Sequence, residues 1–217
     1  MSNTSATSNQ ATNLEEIGRL NSVDKQFHGY LPVYSNLFEP LRFQKLCILE
    51  IGFDRGRGAR MLAEYFTRSM VYCLELFKDD ALKYFEGYPQ DIKNRVALLQ
   101  CDQSDSSSLS QALTIVRTSK HYQPFDVVID DGSHKPEDQL SSFMTVWPFL
   151  NKGGYYVIED MHPYYENGKH KTVEYFKEQV DQLNKFGDVK NKSLPPHRFE
   201  WVMFTPNRII VRKRIQE

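Results

Sequence analysis

Residues 125–165, FDVVIDDGSHKPEDQLSSFMTVWPFLNKGGYYVIEDMHPYY, constrain the fold more than any other part of the chain. Two apolar runs, FDVVI and YYVI, each end in a pair of carboxylates, Asp130-Asp131 and Glu159-Asp160. Between them Pro136 suits the first turn of a helix, and Gly153-Gly154 is expected to break the chain before the second run. A strand–helix–strand crossover makes the two strands parallel, so their carboxyl ends lie on one edge of the sheet. If the strands are also neighbours, four carboxylates and His134 converge there. Clustered negative charge is costly without a cation, and ligands of open α/β sheets bind at this edge.

The rest of the chain repeats the alternation. KLCILEI at 45–51 is predicted as a buried strand, followed by the glycine-spaced turn GFDRGRG at 52–58 and a helix to about Phe66. VYCLEL at 71–76 and RVALLQ at 95–100 are further strands, with helices around 80–85 and 106–117. Val173, Phe176, Val180 and Leu183 form a helical stripe within 172–186, and 187–197 is a loop. RFEWVMF and RIIVRKR, separated by Thr205-Pro206-Asn207, form a closing hairpin, the second run being expected as an exposed strand. The fold class is therefore α/β: a doubly wound, Rossmann-like sheet, mostly parallel, with a C-terminal antiparallel hairpin. Residues 1–13 are polar and expected to be disordered. Residues 14–42 form a helical lid segment in which Phe27, Tyr30, Leu31 and Tyr34 repeat at helical spacing, and 43–217 form the main domain.

Charge narrows the function. With 27 basic against 28 acidic residues, no polyanion-binding surface is expected, which sets nucleic acid aside. Cys47, Cys73 and Cys101 sit in or beside strand-like runs, as buried reduced thiols do, and with no membrane-length apolar segment or signal-peptide core the expectation is cytoplasmic.

Several positions carry chemistry. Gly52 and its loop let backbone amides approach an anionic group, and Glu75, closing the second strand, is placed to accept from a ribose diol. The Gly52-x-x-x-Gly56-x-Gly58 spacing is not the dinucleotide fingerprint, and a ligand-free tight turn explains it as well. Asp102 and Gln103 follow the third strand, where a carboxylate and an amide can read an adenine amino group or simply make a turn. Asp130, Asp131, Glu159 and Asp160 are hard oxygen donors without paired cysteines, a set that selects Mg²⁺, Mn²⁺ or Ca²⁺. His134, three residues after Asp131, is a candidate general base; His162 is a second, while His121, His170 and His197 are expected in loops.

Glu50-Ile51-Gly52, Glu75, Asp102-Gln103 and the final hairpin together resemble class I S-adenosylmethionine-dependent methyltransferases. More narrowly, VIDDGSH at 128–134, GGYYVIED at 153–160 and DKQFHGY at 24–30 resemble the Mg²⁺-dependent sugar O-methyltransferases of macrolide biosynthesis, of mycinamicin and macrocin type. The resemblance runs from about residue 21 to 165. It implies Asp131, Glu159 and Asp160 as metal ligands and His134 as the base. It further implies Glu50, Gly52, Glu75, Asp102, Gln103 and Asp130 around S-adenosylmethionine, with Asp24-Lys25, His28 and Tyr30 in the segment closing over it. Asp54 stands where many methyltransferases have glycine, and the large N-terminal domain of the mycinamicin enzyme has no counterpart in these residues. The expected partner is a small-molecule hydroxyl acceptor on a sugar or polyol, and a homo-oligomer is compatible with the sequence. The other readings are a catechol-type O-methyltransferase, a nucleotide-dependent oxidoreductase on the same fold, which has no use for the later carboxylates, and a catalytically silent S-adenosylmethionine-binding module.

Overall fold

The computed structural model describes residues 13–165, 168–185 and 199–215. Most of the tail at 1–13, the loop at 187–197 and His197 lie outside the described residues; Asn13 is described, and its side chain caps the first helix by accepting from Glu16 N at 2.8 Å. The helices are α1 (Leu14–Leu20), α2 (Leu31–Phe38), α3 (Arg57–Tyr65), α4 (Lys78–Phe85), α5 (Gln90–Lys93), α6 (Ser106–Thr118), α7 (Pro136–Val146) and α8 (Lys171–Lys185). The strands are β1 (Cys47–Ile51), β2 (Met70–Glu75), β3 (Val96–Gln100), β4 (Phe125–Asp130), β5 (Leu150–Ile158), β6 (Phe199–Thr205) and β7 (Arg208–Lys213), in sheet order β3-β2-β1-β4-β5-β7-β6. None of the described helices is long and apolar enough to cross a membrane.

β1 to β5 are parallel and β7 runs antiparallel to both of its neighbours. Alternate residues of the central strands face opposite layers. Ile48, Val127, Ile129 and Val157 pack with Leu14, Ile17, Tyr34 and Phe38 of the N-terminal segment and with Met61 and Leu62 of α3. Leu49, Val128, Tyr156 and Ile158 pack with Leu109, Leu113, Phe143 and Phe176 of α6, α7 and α8. Both faces are covered, which is why these strands are continuously apolar rather than alternating. Register then fixes the site: Ile51 pairs with Asp130 and Asp130 with Ile158, so Gly52, Asp131 and Glu159 leave the sheet side by side.

Three expectations change. Gly153-Gly154 does not precede the strand but lies inside β5, where the pairing shifts between Phe125 and Val127; Gly153 has φ 77° there, a conformation that suits glycine. The basic run is no exposed strand: β7 lies between β5 and β6, and Arg208, Ile209, Ile210 and Val211 are buried. Phe27 does not join its stripe. Residues Asp24–Gln26 form a 3₁₀ turn and α2 starts only at Leu31, so Phe27 stays 82% exposed while Tyr30, Leu31 and Tyr34 are buried. The cysteines are free and buried; burial raises the Cys47 thiol to about 12 and Cys101 to about 11, which keeps both unreactive.

Candidate active site

Two features meet at the carboxyl edge. The first is a cavity of about 420 Å³ beside the ends of β1, β2 and β3. Ile51, Leu74, Leu76 and Phe77 give it apolar walls, and Gly52, Glu75, Asp102, Gln103 and Asp131 also line it. Gly52 has φ 91°, and a Cβ there would sit on the Asp131 carbonyl oxygen, so only glycine lets these two strand ends lie together. Glu75 organises the loop by accepting from Phe53 N (2.8 Å), Asp54 N (3.0 Å) and Phe77 N (2.9 Å). A carboxylate has about four lone-pair sites, so one is left for a ligand hydroxyl. Asp102 accepts from the amide and hydroxyl of Ser104, which hold its carboxyl below the ordinary range. Size, apolar walls and the two acids suit an adenosine-containing ligand.

Not every residue expected around that ligand reaches it. Gln103 touches the cavity, but its amide is committed to structure. Its nitrogen donates to Asp130 Oδ1 (2.7 Å) and Ser142 Oγ (3.0 Å), and its oxygen accepts from Ser133 N (2.8 Å). Asp130 is fully buried behind this brace, does not line the cavity, and is pushed by burial up to about 8. Glu50 is likewise buried at the end of β1, outside the lining, with Oε2 unpartnered and its carboxyl raised by burial to about 8. His28 is exposed, its ring 6.2 Å from that of His162. Tyr30 is buried and points to the second feature.

That feature is an acidic centre. Donor atoms of Asp131, His134 and Asp160 all lie within 4.8 Å of one another. His134 Nε2 is 4.0 Å from Asp160 Oδ2, and Tyr30 OH donates to Asp160 Oδ1 at 2.5 Å. Glu159 stands behind this group, its Oε1 accepting from Tyr34 OH and its Oε2 from Lys25 Nζ at 2.8 Å. The Lys25 ammonium also meets Asp131 Oδ2 at 2.5 Å. Burial raises both phenols, and so do the acids they donate to, so Tyr30 and Tyr34 stay neutral donors. Burial raises Glu159 to about 7 against the pull of Lys25; burial also raises Asp131 above its ordinary value, again with Lys25 opposing. Burial alone would lower the Lys25 ammonium, but Asp131 and Glu159 hold it well above its ordinary value. With all three carboxylates ionised, as a bound cation would favour, this one ammonium leaves a net charge of two negatives, which one divalent cation would balance. Hard oxygens in that number fit Mg²⁺, with Mn²⁺ and Ca²⁺ as the close chemical alternatives.

Lys25 and Tyr34 escaped the sequence as parts of this centre, because they meet it across 106 to 134 residues. The pairing of DKQFHGY with the two acidic motifs was the available signal. His170, expected in a loop, is buried just before α8 with neither ring nitrogen partnered. Asp131 belongs to both features, so the cavity and the acidic centre adjoin at this residue.

Residues 49–161, more than half of the chain, match the family described as a methyltransferase domain. The chain belongs to that family. Two relatives are similar to it over part of their length. The 8-demethyl-8-(2-methoxy-alpha-L-rhamnosyl)-tetracenomycin-C 3'-O-methyltransferase of Streptomyces olivaceus is 32% identical over 62% of this chain and 33% of its own length. The mycinamicin VI 2''-O-methyltransferase of Micromonospora griseorubida is 33% identical over 62% of this chain and 32% of its own. Among solved structures, the MycE methyltransferase of the mycinamycin biosynthetic pathway, in complex with Mg, SAH and mycinamycin VI, superposes with a TM-score of 0.74 at 25% identity. That match covers 96% of this chain and 55% of MycE. The chain thus spans a third to just over half the length of these methyltransferases.

Proposed function

We propose that the chain is a Mg²⁺-dependent O-methyltransferase that moves the methyl group of S-adenosylmethionine to a hydroxyl of a sugar or polyol, of the natural-product glycoside type. One observation carries the reading: Asp131 lines the cofactor-sized cavity and belongs to the acidic centre, so an activated hydroxyl and a sulfonium methyl can meet there. The relatives named as O-methyltransferases of a rhamnosyl tetracenomycin and of mycinamicin VI, and MycE with Mg, SAH and mycinamycin VI, support the substrate class. The near balance of 27 basic and 28 acidic residues supports a small-molecule acceptor over nucleic acid.

In this reading Asp131, Glu159 and Asp160 would hold the ion, Glu159 through the lone pairs that Lys25 and Tyr34 leave open. A divalent ion there supplies charge stabilisation to an ionising hydroxyl. Tyr30 and Tyr34 fix the Asp160 and Glu159 carboxylates from behind. His134, partly exposed beside Asp160, takes the hydroxyl proton as the oxygen attacks the methyl carbon and the C–S bond breaks. Glu75, Asp102 and the Gly52 loop orient the donor, and alignment of oxygen, carbon and sulfur supplies much of the acceleration, because a sulfonium is already reactive.

The test is calorimetric titration with S-adenosylmethionine, with and without Mg²⁺, followed by methyl transfer to a panel of glycosides, polyols and catechols. Binding of the donor and Mg²⁺-dependent methylation of a glycoside are expected. Asp131→Asn is expected to abolish that turnover while retaining most donor affinity. Undiminished turnover in excess chelator removes the metal role, and no donor binding sinks the whole reading.

A further inference from the structure

Lysine gives up its hydration reluctantly, yet the Lys25 side chain is only 2% exposed. Packing of its own turn does not require this. Lys25 sits on the short 3₁₀ turn Asp24–Gln26, where Asp24, Gln26 and Phe27 are all exposed. The backbone stays at the surface while this one side chain runs inward and ends 2.5 Å from Asp131 and 2.8 Å from Glu159. The proposed methyl transfer gives it no task. Without it, the Asp131 and Glu159 carboxylates, 19% and 1% exposed, would face each other uncompensated near Asp160, with the buried Glu50 carboxyl repelled by both.

We propose that Lys25 is the resident cation of the acidic centre. It keeps the centre folded while no metal is bound, and it lowers the negative charge to what a single divalent ion balances. The second of these roles rests on the metal reading above; the first does not. Breaking a buried ion pair from one side leaves an uncompensated charge, whereas removing both partners removes the charge along with it.

The experiment compares the wild type, Lys25→Met, and the double variant Lys25→Met/Glu159→Gln, by thermal unfolding in excess chelator and by Mn²⁺ binding followed by electron paramagnetic resonance. In chelator, Lys25→Met is expected to lose on the order of 10 °C in Tm, or its cooperative transition. The double variant is expected to recover at least half of that loss, and Mn²⁺ to restore the single variant more than it raises the wild type. Mn²⁺ affinity of Lys25→Met is expected to rise about tenfold or more, because one repelling charge has gone. A Lys25→Met protein as stable as the wild type in chelator overturns the folding role, as does a double variant no more stable than the single one. Unchanged or weaker Mn²⁺ binding by Lys25→Met overturns the charge-setting role. A wild type that binds no Mn²⁺ at all overturns the metal reading and with it that second role, and the chelator series still decides the first.

Discussion

His134 and Asp160 both adopt left-handed backbone conformations, with φ 61° and 56°. A non-glycine residue in that region is strained by about 1–3 kcal/mol, and such residues persist where the surrounding structure holds them for a purpose. The strain separates chemistry from stability at His134. Asparagine tolerates the left-handed region better than alanine, so His134→Asn should melt at or above His134→Ala while both remove the proposed base. A fall in kcat of roughly 10²–10⁴-fold in both variants, with KM little changed, is the expected kinetic result. A change confined to KM would argue that His134 positions the acceptor instead. Glu50 offers a second residue-level test. Its folded carboxyl is raised by burial from 4.5 to about 8, so between those values the folded state binds more protons than the unfolded one. Its contribution therefore falls as pH rises from about 4.5 to 8 and is level on either side. Glu50→Gln removes the titration. Its Tm should exceed that of the wild type at pH 8 and the gap should close towards pH 5; parallel pH profiles would place the burial cost elsewhere.

At the scale of elements, the site exists because β1, β4 and β5 end together. Gly52→Ala tests that arrangement, since the added methyl meets the Asp131 carbonyl and the φ of 91° suits only glycine. A loss of about 2–4 kcal/mol by denaturant unfolding is expected, with weaker donor binding in whatever remains folded. Full donor affinity in a stable variant would mean that the strand ends can part without harm to the site. This convergence was legible in the sequence, because apolar runs ending in DD and ED on either side of a helix leave little choice of topology. Asp131, Glu159, Asp160, Glu75, Asp102 and His134 all lie at the carboxyl edge of the sheet, the position that the strand–helix alternation predicts for them. What the sequence hid was set by distant contacts. Nothing local says that Lys25 is buried, that the Gln103 amide, at the cavity's edge, is committed to Asp130, Ser142 and Ser133, or that Arg208 lies inside. A basic run looks exposed until β6 pairs along its outer edge. Likewise a Gly-Gly pair looks like a break, although in β5 it absorbs a shift in pairing with β4.

Across the whole molecule, the N-terminal segment is tied to the site from both sides. Leu14, Ile17, Leu31 and Phe38 join the core layer of the sheet, while Lys25, Tyr30 and Tyr34 reach the acidic centre. Arg208 of β7 fastens the two tyrosines. Its guanidinium lies 4.3 Å from the Tyr30 ring centre and 5.0 Å from that of Tyr34, and it donates to the Tyr30 carbonyl at 3.1 Å. A desolvated cation–π contact contributes about 2 kcal/mol and a hydrogen bond from a charged donor about 1.5–3, offset by the cost of burying the charge. Arg208→Met fills similar space without the charge, so a net loss of about 1–3 kcal/mol is expected. The loss should also be localised. Amides of α1 and α2 should exchange faster, while those of α6 and α7, on the opposite face, stay close to wild type. Because Tyr30 and Tyr34 hold the Asp160 and Glu159 carboxylates, Mn²⁺ affinity should fall in the same variant, although Arg208 is absent from the cluster of candidate metal donors. A uniform rise in exchange with unchanged Mn²⁺ binding would show that Arg208 supports global stability alone. Faster exchange confined to α1 and α2, together with weaker metal binding, would make β7, the N-terminal segment and the acidic centre one mechanical unit.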